Sequence, residues 1–241
     1  MTFSDHSPTA QAADLWARPY QTQAVLNLYD SPALERLATQ AAPGRYLRVV
    51  SPRSPENPAS ALEVYLCEDD YPGWIAPTEL EQLAIAPQPY QPVAVDRATI
   101  QTRIPTAIAF THAAMQQPNE YCWGGTVAPN YDCSGLMQAA FASVGIWLPR
   151  DAYQQEAFTQ AIAVEAAEPG DLIFFGTPEK ATHVGLYLGD RRYIHSSGKS
   201  QGHNGIAIDV LTAEGGGVSA TYYAQLRGAG RILQSYCPRS P

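Results

Sequence analysis

The sequence predicts two unlike domains: a small all-β barrel and, after it, an α+β domain whose helices precede an antiparallel sheet. Short apolar runs broken by turn residues fill positions 20–85, whereas 98–241 shows helical spacing first and adjacent strands afterwards. Between them, residues 86–97 hold three prolines, which resist helix interiors and central strands. We therefore expect a tail over 1–19, a barrel, a linker and an α+β domain. The alternative is that the first half is an irregular β extension of one larger domain.

The strands predicted in the first half are separated by recognisable turn chemistry. AVLNLY is followed by Asp-Ser-Pro, RYLRVV by a loop rich in Pro and Ser over 51–60, and ALEVYL by a turn at Tyr-Pro-Gly. Several short strands at this spacing are typical of a small barrel.

The second half begins with helices. Residues 98–117 have helical spacing with a start or break near Pro105, and 133–145 form a stronger helix that Gly145 ends. Four strands follow, with the sequences DLIFFG, HVGLYLGD, RYIHSSG and GIAIDVL.

Composition excludes some classes of function. The net charge is -8 and only 15 residues are Lys or Arg, which argues against a nucleic-acid partner. The sequence contains no run of about 18 apolar residues, so we expect no membrane span. The first 20 residues lack the pattern of a secretory signal. We therefore expect a cytoplasmic protein whose four cysteines are free thiols.

Cys133 is the candidate nucleophile. It falls at the predicted start of a helix, where unpaired N–H groups and the helix dipole favour the thiolate and predict a lowered pKa. Asp132 and Ser134 can satisfy donors of the first turn, and the small residues Ser134 and Gly135 leave the sulfur accessible. The other three cysteines are interpreted as packing residues.

Two histidines on neighbouring predicted strands are candidates for the base. If residues 189–191 form the loop, Gly185 faces His195, and His183 lies two residues along on the same face. A two-residue loop would put the imidazoles on opposite faces. The first register lets His183 act on Cys133 while His195 orients His183. Two alternatives are hydrogen-bonded histidines of the sheet and a zinc site with Cys133, for which no fourth ligand is evident.

Six motifs in a fixed order resemble those of the NlpC-type cell-wall cysteine peptidases. They are Tyr-x-Trp-Gly-Gly (121–125), Asp-Cys-Ser-Gly-Leu (132–136), Leu-Pro-Arg-Asp (148–151), Pro-Gly-Asp-Leu-Ile-Phe-Phe (169–175), His-Val-Gly-Leu-Tyr-Leu-Gly (183–189) and Tyr-Ile-His-Ser-Ser (193–197). The resemblance implies a papain-like catalytic core preceded by a bacterial SH3-like barrel. The whole arrangement is similar to the γ-D-glutamyl-L-diamino acid endopeptidases, including cyanobacterial members.

The resemblance also implies roles for individual residues. Cys133 would be the nucleophile, His183 the base and His195 the residue that holds His183. The Tyr121 hydroxyl would help to hold the developing oxyanion. No metal or organic cofactor is expected.

The substrate implied by the resemblance is L-Ala-γ-D-Glu-diaminopimelate, a cell-wall peptide with a free ammonium group. That group needs acceptors around it, and the matching positions in the catalytic domain are Asp132, Ser134 and Asp151. On the barrel side, Tyr71 and Asp30 would contribute, with Glu35 as the rival to Asp30. Arg150 is interpreted as structural, and Ala152 stands where some relatives have serine, which puts one pocket hydrogen bond in doubt.

The expected reaction is hydrolysis of the γ-D-glutamyl bond through an acyl-enzyme, in recycling of cell-wall peptides. The barrel would close one end of the groove, so that only peptides with a free N-terminal L-Ala fit. The alternatives are a thiol amidase or acyltransferase on another substrate and a non-catalytic protein that binds cell-wall peptides.

Overall fold

The computed structural model describes residues 18–50, 60–214 and 216–238. The chain divides into two compact units: residues 93–237 form the second unit, and the described residues before Val93 belong to the first. No helix within the described residues is long and apolar enough to cross a membrane. The predicted tail over 1–19 and the predicted loop over 51–60 lie almost wholly outside these residues.

The described part of the first unit contains a seven-stranded antiparallel sheet with the strand order β3-β2-β6-β5-β4-β1-β7. Alternate residues of each strand are buried, as in β5, where the side chains of Leu62, Val64 and Leu66 enter the core. The strands are β1 (Tyr20–Thr22), β2 (Leu26–Tyr29), β3 (Leu37–Ala41), β4 (Tyr46–Val49), β5 (Leu62–Leu66), β6 (Tyr71–Ile75) and β7 (Leu83–Ile85).

The predicted turn at Tyr-Pro-Gly is wrong. Tyr71 begins strand β6, and the turn is formed by the four preceding residues, 67–70. Gly73 is needed for close packing, because a Cβ at this position would lie 2.8 Å from the Leu28 Cβ. Trp74 lies on the half-buried side of β6, between buried Gly73 and Ile75.

Four helices belong to the second unit: α1 (Arg97–Met115), α2 (Cys133–Ala142), α3 (Ala152–Phe158) and α4 (Gly217–Tyr223). Contrary to the prediction, Pro105 neither starts nor breaks α1. The helix begins after the N-cap residue Asp96, whose carboxylate accepts a hydrogen bond from the Thr99 backbone N–H. It continues through the proline because one face, which includes Ile100 and Ile104, is buried in the core.

The second unit contains a six-stranded antiparallel sheet with the order β10-β15-β11-β12-β13-β14 and a separate two-stranded hairpin. The hairpin is β8 (Thr126–Val127) with β9 (Asn130–Tyr131). The sheet strands are β10 (Gln160–Ile162), β11 (Leu172–Gly176), β12 (Ala181–Gly189), β13 (Arg192–Ser197), β14 (Gly205–Val210) and β15 (Leu226–Arg231).

Both faces of this sheet are covered. Leu172, Phe174 and Leu186 belong to a core cluster that includes residues of α1 and α2. The alternate residues Ile173 and Phe175 belong to a second cluster that includes Tyr222 of α4. The central strands are therefore buried on both sides, which explains their nearly continuous apolar sequences.

The β12–β13 hairpin reaches the predicted register by a different route. Its loop has two residues, Asp190 and Arg191, both with positive φ, as in the turns that favour tight hairpins. A bulge between Tyr187 and Gly189 adds the residue that the short loop lacks, so Leu186 still lies opposite Ile194. The predicted three-residue loop is wrong, but the Leu186–Ile194 pair confirms the predicted alignment of Gly185 with His195.

Candidate active site

Cys133 is the first residue of α2, as predicted, and its side chain is buried. Asp132 is the N-cap residue, and its Oδ1 accepts a hydrogen bond of 2.7 Å from the Gly135 backbone N–H. Gly135 has no room for a side chain, because a Cβ there would overlap the backbone oxygen of Gly125. The helix therefore begins against the chain that carries the Tyr-x-Trp-Gly-Gly motif.

A buried arginine holds this helix start in place. The Arg150 guanidinium is 1% exposed and donates from Nη2 to Asp132 Oδ2 at 2.6 Å and from Nη1 to Asp132 Oδ1 at 3.1 Å. Nη1 also donates to Ser134 Oγ at 3.0 Å, and the Gly124 N–H donates to Asp132 Oδ2 at 2.9 Å. The donors to Asp132 occupy its carboxylate oxygens. A substrate ammonium could therefore bind Asp132 only if one of these hydrogen bonds broke. The predicted substrate contacts of Asp132 and Ser134 stay predictions.

The candidate base belongs to a chain of four polar side chains. His183 Nε2 lies 2.7 Å from His195 Nδ1, and His195 Nε2 lies 2.9 Å from Asp209 Oδ2. His203 Nε2 lies 2.7 Å from the same Asp209 oxygen, and the Ser219 hydroxyl donates to Asp209 Oδ1 at 2.8 Å. The structure therefore brings His183 and His195 together, as the predicted register requires.

Cys133 and His183 share two neighbours. Val184 follows His183, and its backbone N–H donates a hydrogen bond that favours the charged form of the Cys133 sulfur. Tyr222 stacks on the His183 ring with a centroid distance of 4.2 Å, and the Cys133 charge contributes to a raised pKa of the same tyrosine. Because His183 Nε2 is engaged by His195, Nδ1 is the ring nitrogen left for the thiol.

The pKa of Cys133 moves in the direction opposite to the predicted one. Burial and the Asp132 charge raise the pKa of the thiol to about 12, although N–H groups of Val184 and Ser134 oppose this shift. Burial also lowers the pKa of His183, and the neighbouring His195 lowers it further. Both shifts favour a thiol beside a neutral imidazole over an ion pair. The sequence argument predicted a lowered pKa for Cys133 because it counted the helix dipole but not the burial of the sulfur.

Tyr121 is a neutral phenol near the sulfur. Burial raises its pKa, and the charges of Cys133, Asp132 and Tyr222 raise it further. The ring lies beside Gly198, where an added Cβ would be 3.7 Å away. The phenol can therefore donate a hydrogen bond at neutral pH, as its predicted role requires.

The other predicted substrate residues are spread over both units. Asp151 is the N-cap residue of α3, and its carboxylate accepts a hydrogen bond from Tyr153. In the first unit, Tyr71 is half-buried, Glu35 is exposed, and Asp30 lies 3.7 Å from the exposed guanidinium of Arg36. Their contacts with substrate stay predictions.

One donor set within the described residues has the composition of a metal site: His195, His203 and Asp209, whose ligand atoms lie within 4.8 Å of one another. It is not the predicted set with Cys133. His195 already uses both ring nitrogens in hydrogen bonds, to His183 and Asp209. A metal ion here would break the chain of side chains that orients His183.

Sequence reasoning missed Asp209, Tyr222 and the contact between His203 and Asp209. Asp209 is buried within GIAIDV, and an acid inside an apolar strand was the available signal. His203 is an exposed residue between Gly202 and Gly205, yet its Nε2 lies 2.7 Å from Asp209 Oδ2. Tyr222 gave no signal, because its stacking on His183 depends on how α4 packs.

Comparison with known proteins shows which families the two parts of the chain resemble. Residues 118–223 match the NlpC/P60 family, and residues 28–80 match the bacterial dipeptidyl-peptidase Sh3 domain. The probable endopeptidase p60 of Listeria monocytogenes is 38% identical over 97 residues, 40% of this chain and 19% of that protein. The bifunctional muramidase/DL-endopeptidase CwlT of Bacillus subtilis is 44% identical over 81 residues, 32% of this chain and 25% of CwlT. The chain thus spans a quarter or less of these relatives.

Among solved structures, an NlpC/P60 family protein from Bacillus cereus superposes with a TM-score of 0.48 and 24% identity, covering 93% of this chain and 66% of that chain. The family matches confirm the predicted fold class of a papain-like α+β domain preceded by an SH3-like domain. The chain carries an NlpC/P60 domain over residues 118–223 and, before it, a bacterial SH3 domain over residues 28–80.

Proposed function

We propose that this protein is a cysteine endopeptidase that cleaves the γ-D-glutamyl–diaminopimelate bond of cell-wall peptides with a free N-terminal L-Ala. The observations that support it most are the position of Cys133 at the start of α2 and the 2.7 Å contact of His183 Nε2 with His195 Nδ1. Cys133 and His183 also share the neighbours Val184 and Tyr222. A nucleophile, a base and an orienting group are the parts that covalent hydrolysis needs.

In the proposed first step, His183 Nδ1 accepts the proton of the Cys133 thiol as the sulfur attacks the γ-carbonyl carbon. The carbonyl oxygen gains negative charge, and the Tyr121 hydroxyl and the Cys133 backbone N–H donate hydrogen bonds to it. General-base attack suits this site because burial disfavours both the thiolate and the imidazolium before substrate arrives.

In the second step, the tetrahedral intermediate collapses to a thioester. The His183 imidazolium gives its proton to the diaminopimelate amine, which leaves as the C–N bond breaks. Water then attacks the thioester carbonyl and gives a proton to His183, and the sulfur leaves and takes that proton back. The products are L-Ala-γ-D-Glu and diaminopimelate, with the enzyme regenerated and no redox change.

The proposed requirement for a free amine rests on the chemistry of the residues that would surround it. Within the catalytic domain, Asp151 and Ser134 are acceptors of the kind that an ammonium group needs. Peptides with a free L-Ala arise when the wall is taken apart, so we also propose a role in peptide recycling.

Mass spectrometry of products from L-Ala-γ-D-Glu-diaminopimelate tests the proposal. We expect release of free diaminopimelate, no release by the Cys133→Ala variant, and little release from the N-acetylated peptide. Cys122→Ala is the matched control, because this half-buried thiol lies eleven residues earlier, and it should retain activity.

The alternatives give different results. An acyltransferase would yield an amide of an added amine instead of free acid, and a binding protein would retain peptide affinity in the Cys133→Ala variant while the wild type releases no product. Either result would overturn the proposed activity.

A further inference from the structure

We propose that Asp209 is a positioning residue that fixes the proton arrangement of His195 and His183, so that His183 presents an unprotonated Nδ1 to Cys133. This inference rests on the proposed function and extends it beyond the cysteine and the two histidines.

The pairing of β13 with β14 puts Asp209 on the face that carries the histidines. His195 lies opposite Ala207, and Asp209 is two residues further along β14, so its side chain is the diagonal neighbour of His195. Asp209 is buried, and no Lys or Arg among the described residues lies within ion-pair distance of it. A buried carboxylate is costly unless it is paired and hydrogen-bonded, and the side-chain partners of Asp209 are His195, His203 and Ser219.

The direction of each hydrogen bond follows from Asp209. Burial raises the pKa of Asp209, but hydrogen bonds from His195, Ser219 and His203 outweigh this and keep it well below its ordinary value. A carboxylate only accepts, so the proton on His195 lies on Nε2. Burial lowers the pKa of His195, so the ring is neutral and its Nδ1 accepts.

The same logic continues to the base. Since His195 Nδ1 accepts, His183 Nε2 must carry the proton that lies between the two rings. A neutral His183 protonated on Nε2 has its lone pair on Nδ1, which is the nitrogen left for the thiol. The opposite arrangement, with a proton on His183 Nδ1, would leave no base for Cys133.

Asp209 also offsets the charge that forms during attack. When His183 takes the thiol proton, a cation forms among the buried rings of Tyr222 and Phe175. The ionisable groups around that ring are Cys133 on α2, His195 on β13, Asp209 on β14 and Tyr222 on α4. Of these, Asp209 is the group that carries a negative charge both before and after the proton moves.

His203 and Ser219 fix the carboxylate itself. His203 donates to the oxygen that His195 uses, and Ser219 donates to the other oxygen while accepting a 3.2 Å hydrogen bond from the Val210 N–H. The carboxylate therefore has a donor on each oxygen besides His195, which restricts its rotation.

The test compares wild type, Asp209→Asn and Asp190→Asn in tripeptide hydrolysis across pH, with thermal unfolding as the folding control. We expect Asp209→Asn to lower kcat by about 10²- to 10⁴-fold, with KM within about twofold. The acid limb of the kcat/KM profile should move to lower pH, because the carboxylate that raises the pKa of His183 and His195 is gone. Asp190 undergoes the same chemical change at a side chain that is 91% exposed, and should behave as wild type.

A folded Asp209→Asn variant with kcat within about threefold of wild type would overturn the inference. A lower kcat with an unmoved acid limb would also overturn it, because that is the result of a purely structural role.

Nitrogen-15 NMR of wild-type histidine rings gives a readout that needs neither activity nor a folded variant. Nε2–H protonation of both His183 and His195 supports the inference, and Nδ1–H on either ring overturns it. Failure of wild type to cleave the tripeptide would instead count against the proposed function alone.

Discussion

Replacing Arg150 by Leu tests whether one buried cation holds the start of α2. The Arg150 side chain is 1% exposed, and its three hydrogen bonds to Asp132 and Ser134 are between 2.6 and 3.1 Å long. Leucine keeps apolar volume but removes the charge and every donor. Asp132, itself 7% exposed, would then be a buried carboxylate without its cation.

Losing one partner of a buried ion pair costs about 3–5 kcal/mol, more than a surface pair contributes. For a unit of this size, that loss corresponds to a fall in Tm of about 10 °C or more. Replacing Asp132 by Asn in the Arg150→Leu variant removes the unpaired buried charge and keeps a capping oxygen. The double variant should therefore regain about half of the lost free energy of unfolding.

Hydrogen-exchange mass spectrometry of peptides from α2 measures the free energy of opening in this unit. Arg227→Leu is the control, because its 2.7 Å pair with Glu156 is partly exposed and should contribute less than about 1 kcal/mol. If Arg150→Leu changes the opening free energy of α2 no more than Arg227→Leu does, the reasoning about buried pairing is refuted.

Three other changes probe the surroundings of the sulfur. In a variant whose other cysteines are serine, the rate of Cys133 alkylation by iodoacetamide should still rise above pH 9, because burial raises its pKa to about 12; a plateau near pH 6 contradicts this. Gly185→Ala places a Cβ 2.7 Å from the Tyr193 ring and should destabilise the unit by about 1–3 kcal/mol in urea unfolding. Tyr222→Leu removes the stacking on His183 and should lower kcat about tenfold. Tyr222→Phe keeps the ring, so its kcat should stay within about twofold of wild type. Equal losses of kcat in the two variants would disprove a role for stacking.

Features that depend on neighbouring residues were predictable. The start of α2 at Cys133 follows from the Asp132 cap and from apolar spacing over the next ten residues. The shared face of His183 and His195 follows from strand periodicity, although a bulge and a two-residue loop replace the predicted longer loop. The continuity of α1 through Pro105 was not predictable, because it depends on burial against a sheet about 70 residues away.

The sequence by itself predicted two unlike domains, a helix that begins at Cys133 and two histidines on the same face of neighbouring strands, since these features follow from caps, periodicity and motif order. Only the tertiary structure decided which groups surround them. Asp209 and Tyr222 reach His195 and His183 across other strands and helices, and the burial that raises the pKa of Cys133 is a property of the packed core. Contacts between residues far apart in the chain depend on how the layers pack, and no local pattern of residues encodes that packing.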